Sequence, residues 1–141
     1  MKFDYKEVKA TSSEAYPHRK KVYRPDIKVT IKHTKSIDVY ALVDSGADYC
    51  VFPSELGEYI GFDVKSGKRD VIIGIGNKTI PVFSHNITLI VDGHEFDLWC
   101  GFAKEVPKPI LGQLRFFEKF DVSFCYRKKC IEIKLTFGNS S

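Results

Sequence analysis

From Pro25 onward the chain alternates apolar and polar residues with a period of two, and no other feature constrains its fold as much. Ile27, Val29 and Ile31 are separated by Lys28 and Thr30, so alternate side chains share one apolar layer while their neighbours face water. "SIDVYALV" (Ser36 to Val43) carries the strand signal on. Asp92-Gly93 stands between the apolar runs "NITLIV" and "HEFDLWCGF", and a dipeptide that tolerates positive φ there specifies a tight hairpin. In "VIIGIGNKTIPVF" two strand arms join around glycines, and "DVSFCYRKKCIEIKLTF" turns at "YRKK" with Ile131, Ile133, Leu135 and Phe137 on one face. Pro107 and Pro109 keep "VPKPILG" extended. Helix is expected in two short places. In "FPSELGEYIGFDV", Pro53, Ser54 and Glu55 suit a first turn and Gly61 a stop, with Gly57 weakening the middle. In "QLRFFEKF", Leu114, Phe117 and Phe120 recur every three residues. Many short strands, few helices and no internal linker predict an all-β, barrel-like single domain.

The length of 141 residues suits one hydrophobic core, and 43% hydrophobic with 28% charged residues reads as soluble and globular. No apolar run approaches the ~18 residues that span a bilayer. "MKFDYKEVKATSSEAY" is charged and lacks the apolar stretch of a secretory signal, so a cytoplasmic location is expected, with no membrane partner. The net charge of +4 includes a basic cluster, "PHRKKVYR" (Pro17 to Arg24). Such a cluster suits phosphates or an acidic partner. The plainer expectation is a solvated, mobile approach to the first strand. Aromatic and basic residues do not interleave as in RNA-binding modules, so no nucleic-acid partner is expected.

The four cysteines (Cys50, Cys100, Cys125, Cys130) contain no Cys-x-x-Cys pair, and His18, His33, His85 and His94 have no ligand spacing. Neither a metal site nor a cofactor is expected. Cys125 and Cys130 flank the "YRKK" turn, which places them opposite one another; a cross-strand disulfide and two free thiols both fit, and a cytosolic chain favours thiols. The Asn-x-Ser/Thr triplets at Asn77, Asn86 and Asn139 matter only for an exported chain.

Chemistry is concentrated in "ALVDSGADYC" (Ala41 to Cys50), where an aliphatic run leads straight into the carboxylate of Asp44. An acid directly behind an apolar strand is costly to bury unless it is paired or used. "GIGNKT" (Gly74 to Thr79) superficially suggests a phosphate loop, but a dinucleotide fingerprint needs glycine where Thr79 stands. A P-loop needs Gly-Lys-Ser/Thr, and both motifs must open a helix. Ile80-Pro81 and β-branched neighbours follow instead.

Asp-Ser-Gly is short enough to arise by chance, so its context carries the weight. Aliphatic residues precede Asp44 and Ala47 follows Gly46; a glycine-tipped hairpin comes later, and Ile110-Leu111-Gly112 comes before the last helical signal. In these parts and their order the chain resembles the single-domain, retropepsin-like aspartic proteases of retroviruses and their cellular and microbial relatives, from about residue 23 to 135. The resemblance implies a closed β-barrel with a flap hairpin and one or two short helices. It divides the chain into residues 1–22, an N-terminal extension or first strand of unassigned role, a protease domain at 23–137, and a tail at 138–141.

The resemblance also implies a function: peptide hydrolysis by two carboxylates that share one proton, one acting as base on water and one as acid toward the carbonyl oxygen. One Asp-Ser-Gly per chain then requires a homodimer, with an Asp44 from each copy on the twofold axis. Implied roles are Asp44 as catalytic acid, Ser45 as the lock between the two loops, and Gly46 as loop glycine and carbonyl contact to substrate. Ala47 lies beside the substrate and Asp48 binds its main chain. Gly74, Ile75 and Gly76 form the flap tip over the peptide. Ile110-Leu111-Gly112 is the strand beneath the loop. Retroviral members place an arginine directly after that last glycine, whereas this chain has Gln113 there and Arg115 two residues on. The expectation is therefore an aspartic endopeptidase cleaving extended peptides. The alternative is a catalytically silent retropepsin-like module for dimerisation or peptide binding. The C-terminal strand, Ile131 to Phe137, is expected to offer its edge to the second copy.

Overall fold

The computed structural model describes residues Met1–Thr136. Phe137, expected on the face of the last strand, the Asn139 triplet and the tail at 138–141 lie outside the described residues. The alternation from Pro25 forms β4 (Asp26–Lys32) and β5 (Ser36–Val43), paired antiparallel from Asp26↔Leu42 to Lys32↔Ser36. Ile27, Val29 and Ile31 are buried on the inner face with Ala41 and Val43. Each of the isoleucines and valines contributes roughly 1.5–3 kcal/mol by leaving water.

The helix expected after Pro53 is present as α1 (Ser54–Ile60), ended by Gly61 at φ 116°, a left-handed value that glycine adopts at low cost. Gly57 is there for closeness: a Cβ would stand 2.7 Å from Phe102. Asp92 and Gly93 take φ 48° and 79° and turn β8 (Thr79–Val91) into β9 (His94–Ala103). β7 (Lys68–Ile73) pairs with the first half of β8, giving the glycine-tipped hairpin.

Between these, β6 (Val51–Pro53) and the two-residue β10 (Ile110–Leu111) complete a seven-stranded sheet in the order β4-β5-β10-β6-β9-β8-β7. β4 also pairs with β8 at Thr30↔Ile90, which brings the two sides of the sheet together. The class is all-β, with α1 and short helical turns, among them Val64–Ser66.

Three expectations need correction. Gln113–Phe117 makes a single wide turn, not a regular helix: Leu114 has ψ 130° and Arg115 has φ 79°. The buried ring is Phe116, while Leu114 is exposed. The N-terminal segment is not a mobile approach. β1 (Lys2–Asp4) pairs with β12 (Cys130–Leu135), and β2 (Lys6–Lys9) forms a hairpin with β3 (Lys21–Arg24). As a result the C-terminal strand is not an edge along Cys130–Ile133, where β1 and Met1 cover it. β12 lies between β1 and β11 (Phe120–Cys125), with Ile131 and Ile133 fully buried, so β1 and β11 are the edge strands of this sheet. Cys125 and Cys130 are direct register partners and are free thiols. No described helix is long and apolar enough to cross a membrane.

Candidate active site

Asp44 leaves the end of β5 at the point where β10 passes beneath it. β10 pairs parallel with β5 (Leu111↔Val43) and antiparallel with β6 (Ile110↔Val51), so it threads between the strands that enter and leave the Asp44 loop. The Asp44 N–H donates to the Leu111 carbonyl at 3.0 Å. Above that anchor the loop folds on its own acid: the Gly46 N–H donates to Asp44 Oδ1 at 2.9 Å and the Ala47 N–H to the Asp44 carbonyl at 3.2 Å. A carboxylate that accepts a backbone N–H is held in one orientation, and here the other oxygen has no hydrogen-bond partner among the described residues.

Beyond β10 the chain ties the loop from the far side. The N–H groups of Gln113 and Leu114 donate to the carbonyls of Ala47 and Asp48, each at 2.8 Å. The Gln113 side chain donates from Nε2 to the Ser45 carbonyl at 2.7 Å. The departure at Gln113 therefore has a structural use of its own, holding the loop backbone. The Asp48 carboxylate makes no ion pair among the described residues. Gly112 permits the close approach, since a Cβ there would stand 2.4 Å from the Tyr49 carbonyl oxygen and 2.7 Å from that of Ala47. Cys50 fills the space below: the Gly112 N–H points at its sulfur from 3.4 Å, and its thiol donates to the Leu114 carbonyl at 3.6 Å. Burial pushes this thiol up to about 11, so it is neutral.

The loop forms the floor of a cleft of about 780 Å³ whose other side is the β7–β8 hairpin. Of the residues singled out in the sequence, Asp44, Gly46, Ala47, Asp48, Gly74 and Ile75 line it together. Ser45 and Gly76 do not. Ser45 instead borders a shallow hollow beside the loop, formed with Pro25, Leu42, Val43, Asp44 and the exposed ring of Phe124 on β11. Gly76 turns the hairpin tip at φ 77°, with nothing within 4 Å of where its Cβ would be. Ile75 is fully exposed, Ile73 on the adjoining arm is largely so, and Val71 is partly exposed.

The sequence reading missed the third wall, Glu105, Val106 and Pro107, and the apolar hairpin arms Ile72 and Ile80. The arms were legible as alternation. The wall had no signal, because its position depends on a buried contact distant in sequence: both oxygens of Asp26, itself 5% exposed, accept from Lys108 Nζ at 3.2 Å. No group of three or more metal-ligating side chains occurs among the described residues.

The arrangement joins an oriented carboxylate, a cleft of about 780 Å³ and an apolar hairpin tip. No protein-family model and no curated protein matches the chain by sequence. Solved structures do match. The chain is similar to the EIAV protease solved in complex with the inhibitor HBY-793, at 26% identity and a TM-score of 0.52, covering 64% of this chain and 82% of that one. It is also similar to a retropepsin-like aspartic protease from Rickettsia conorii, at 15% identity and a TM-score of 0.59, covering 92% of this chain and 98% of that one. The likeness, strand hairpins, threaded β10 and loop together, identifies the fold of this chain as retropepsin-like.

Proposed function

We propose that the protein is an aspartic endopeptidase that acts as a homodimer on extended polypeptide. The observation that carries this reading is the place of Asp44, held by the Gly46 N–H on the floor of a cleft that also contains Ile75. Both similar structures are proteases, which supports the same reaction class. Two Asp44 carboxylates brought together by a twofold axis share one proton, because like charges at that distance do not both ionise easily. The ionised one takes a proton from water, and the protonated one gives its proton to the carbonyl oxygen of the scissile bond.

Ser45 lies beside the axis with its hydroxyl free of hydrogen bonds among the described residues, in position to reach the other copy's loop. The hollow that Ser45 shares with Phe124 of β11, an edge strand of its sheet, supports packing of the second copy on this side. Gly46 leaves its carbonyl to the substrate, Ala47 lies beside the bound chain, and Asp48 contacts the substrate main chain. Gly74, Ile75 and Gly76 close as a flap that lays an apolar side chain over the peptide and excludes water. The compartment is taken as the cytoplasm.

Denatured casein provides the test, since it presents many extended segments. Wild-type protein is expected to cleave it and Asp44→Asn to leave it intact at an unchanged melting temperature, because the substitution keeps shape and removes the ionisable group. Cleavage by Asp44→Asn at the wild-type rate would refute the assignment. Absence of cleavage in both, with casein still bound, would favour the silent peptide-binding module.

A further inference from the structure

The β2–β3 hairpin carries charge that neither the fold nor the cleft uses. From Tyr5 to Arg24 stand six lysines and arginines against two acids, Glu7 and Glu14, a net of +4 that equals the net charge of the whole chain. The register places cation directly opposite cation twice, Lys6↔Arg24 on one face and Lys9↔Lys21 on the other. Like charges directly opposed destabilise a strand pair, and a two-stranded ribbon has little stability in reserve. The one acid within these strands, Glu7, lies 3.0 Å from Lys21 Nζ, but both side chains are more than half or half exposed, so the pair contributes little. Lys129, from the β11–β12 turn, adds a further cation 5.1 Å from the Tyr23 ring.

The hairpin is joined to the cleft by a groove. Lys6, its ammonium 4.1 Å from the Tyr40 ring centroid, lines a depression of about 570 Å³ with Tyr40, Leu56 and Lys104. That depression shares Val106 and Pro107 with the Asp44 cleft. Two acids also border it. Asp38 is answered by Lys28 at 3.8 Å and by the Thr30 hydroxyl at 2.6 Å, which leaves Glu55 against two lysines.

We propose that the β2–β3 hairpin is a docking surface for an acidic segment of the same polypeptide whose scissile stretch occupies the cleft. The segment passes over Val106 and Pro107 and places its carboxylates against Lys6 and Arg24, which share one face of the hairpin, with Lys9 and Lys21 on the other face adding to the positive field. The inference rests on the endopeptidase reading and adds a substrate class to it: polypeptides with an acidic run beside the cleavage region. A polypeptide fits better than a nucleic acid because the path from the cleft is walled by Leu56, Pro107 and Pro109, which suit an extended chain with side chains.

The test uses the Asp44→Asn protein, so binding is read without turnover and a failure of docking is distinct from a failure of hydrolysis. Fluorescein-labelled poly-L-glutamate is titrated by anisotropy, beside polyuridine RNA and phosphatidylserine–phosphatidylcholine vesicles. Polyglutamate is expected to bind best, more weakly as salt rises, and about tenfold or more weakly to Lys6→Gln/Arg24→Gln. That double variant should melt at the same or a higher temperature, because a repulsive pair has gone. Lys9→Gln removes the other opposed pair and should act the same way to a smaller degree. Amide shifts on titration should run from the hairpin through Tyr40 and Lys104 to Val106. No binding at low salt would overturn the proposal, as would indifference to these substitutions or tighter binding of RNA or vesicles. So would a lowered melting temperature in both variants, or shifts that stop short of Val106.

Discussion

The floor and the roof of the cleft are built on opposite principles. The floor is held from every side: Asp44 by Leu111 and Gly46, Ala47 and Asp48 by the Gln113 and Leu114 N–H groups, and Ser45 by the Gln113 side chain. The hairpin tip is held by almost nothing, with Ile75 fully exposed and open space around Gly76. Both regions depend on glycine, for opposite reasons. Gly112 is needed because backbone carbonyls crowd it, and Gly76 because the chain turns through a left-handed φ with nothing nearby. The contrast suits the proposed function: a carboxylate that meets its twin has to be fixed closely, and a cover that admits a peptide has to move.

Matched glycine substitutions sharpen the contrast most. Gly112→Ala is expected to cost about 3 kcal/mol or more, since its Cβ would press on backbone that cannot turn away. Gly76→Ala should cost only about 1 kcal/mol, the strain of a side chain at φ 77° without any clash. Chemical denaturation of the two variants measures both, and equal losses would show that the floor is as yielding as the tip.

Ile75→Asp reverses the pattern of effects. Casein hydrolysis is expected to fall about 100-fold, or roughly 2.7 kcal/mol in activation, because a charge would have to lose water over the substrate. The melting temperature should not change, since the native side chain packs on nothing in the free chain. A melting temperature lowered in proportion would give Ile75 a structural role instead.

Alkaline pH should weaken the packing beneath the floor. Cys50 lies under Gly112 and Leu114, and burial raises its thiol from 9.0 to about 11. Burial raises the fully enclosed Cys100 thiol as well. The unfolded chain loses these protons first, so between pH 9 and 11 the native state binds more protons and stability falls as pH rises. The expected loss across that window is on the order of 2 kcal/mol. Cys50→Ala should flatten much of the slope in a series of melts, and an unchanged slope would remove Cys50 from this account.

Much of this contrast was readable before the structure. Asp92-Gly93 gave its hairpin and Gly61 its helix stop because each needs one local conformation that few residues adopt, and the Asp44 loop was visible as an acid behind an apolar strand. Gln113–Phe117 misled because spacing by three does not report the backbone: Leu114 at ψ 130° and Arg115 at φ 79° leave the helical region. The segment is tied at Gln113 and Leu114 to Ala47 and Asp48, residues more than sixty positions earlier in the chain. The third wall was hidden for the same reason, since Lys108 finds its partner in Asp26. The N-terminal hairpin was hidden differently: its strands are rich in lysine and carry little alternation, and their pairing is a matter of register. The edge role expected for the C-terminal strand failed with it over Ile131–Ile133, because β1 and Met1 cover that stretch.

The central claim is that one chain holds half of an active site. Specific activity on casein, followed through serial dilution alongside sedimentation, tests it most directly, with excess Asp44→Asn subunits mixed in as a second arm. A lone carboxylate cannot be base and acid at once, so specific activity should fall in step with the dimer population and the mixed subunits should poison what remains. A sedimenting monomer whose specific activity is independent of concentration, and which is unaffected by added Asp44→Asn, would contradict the account.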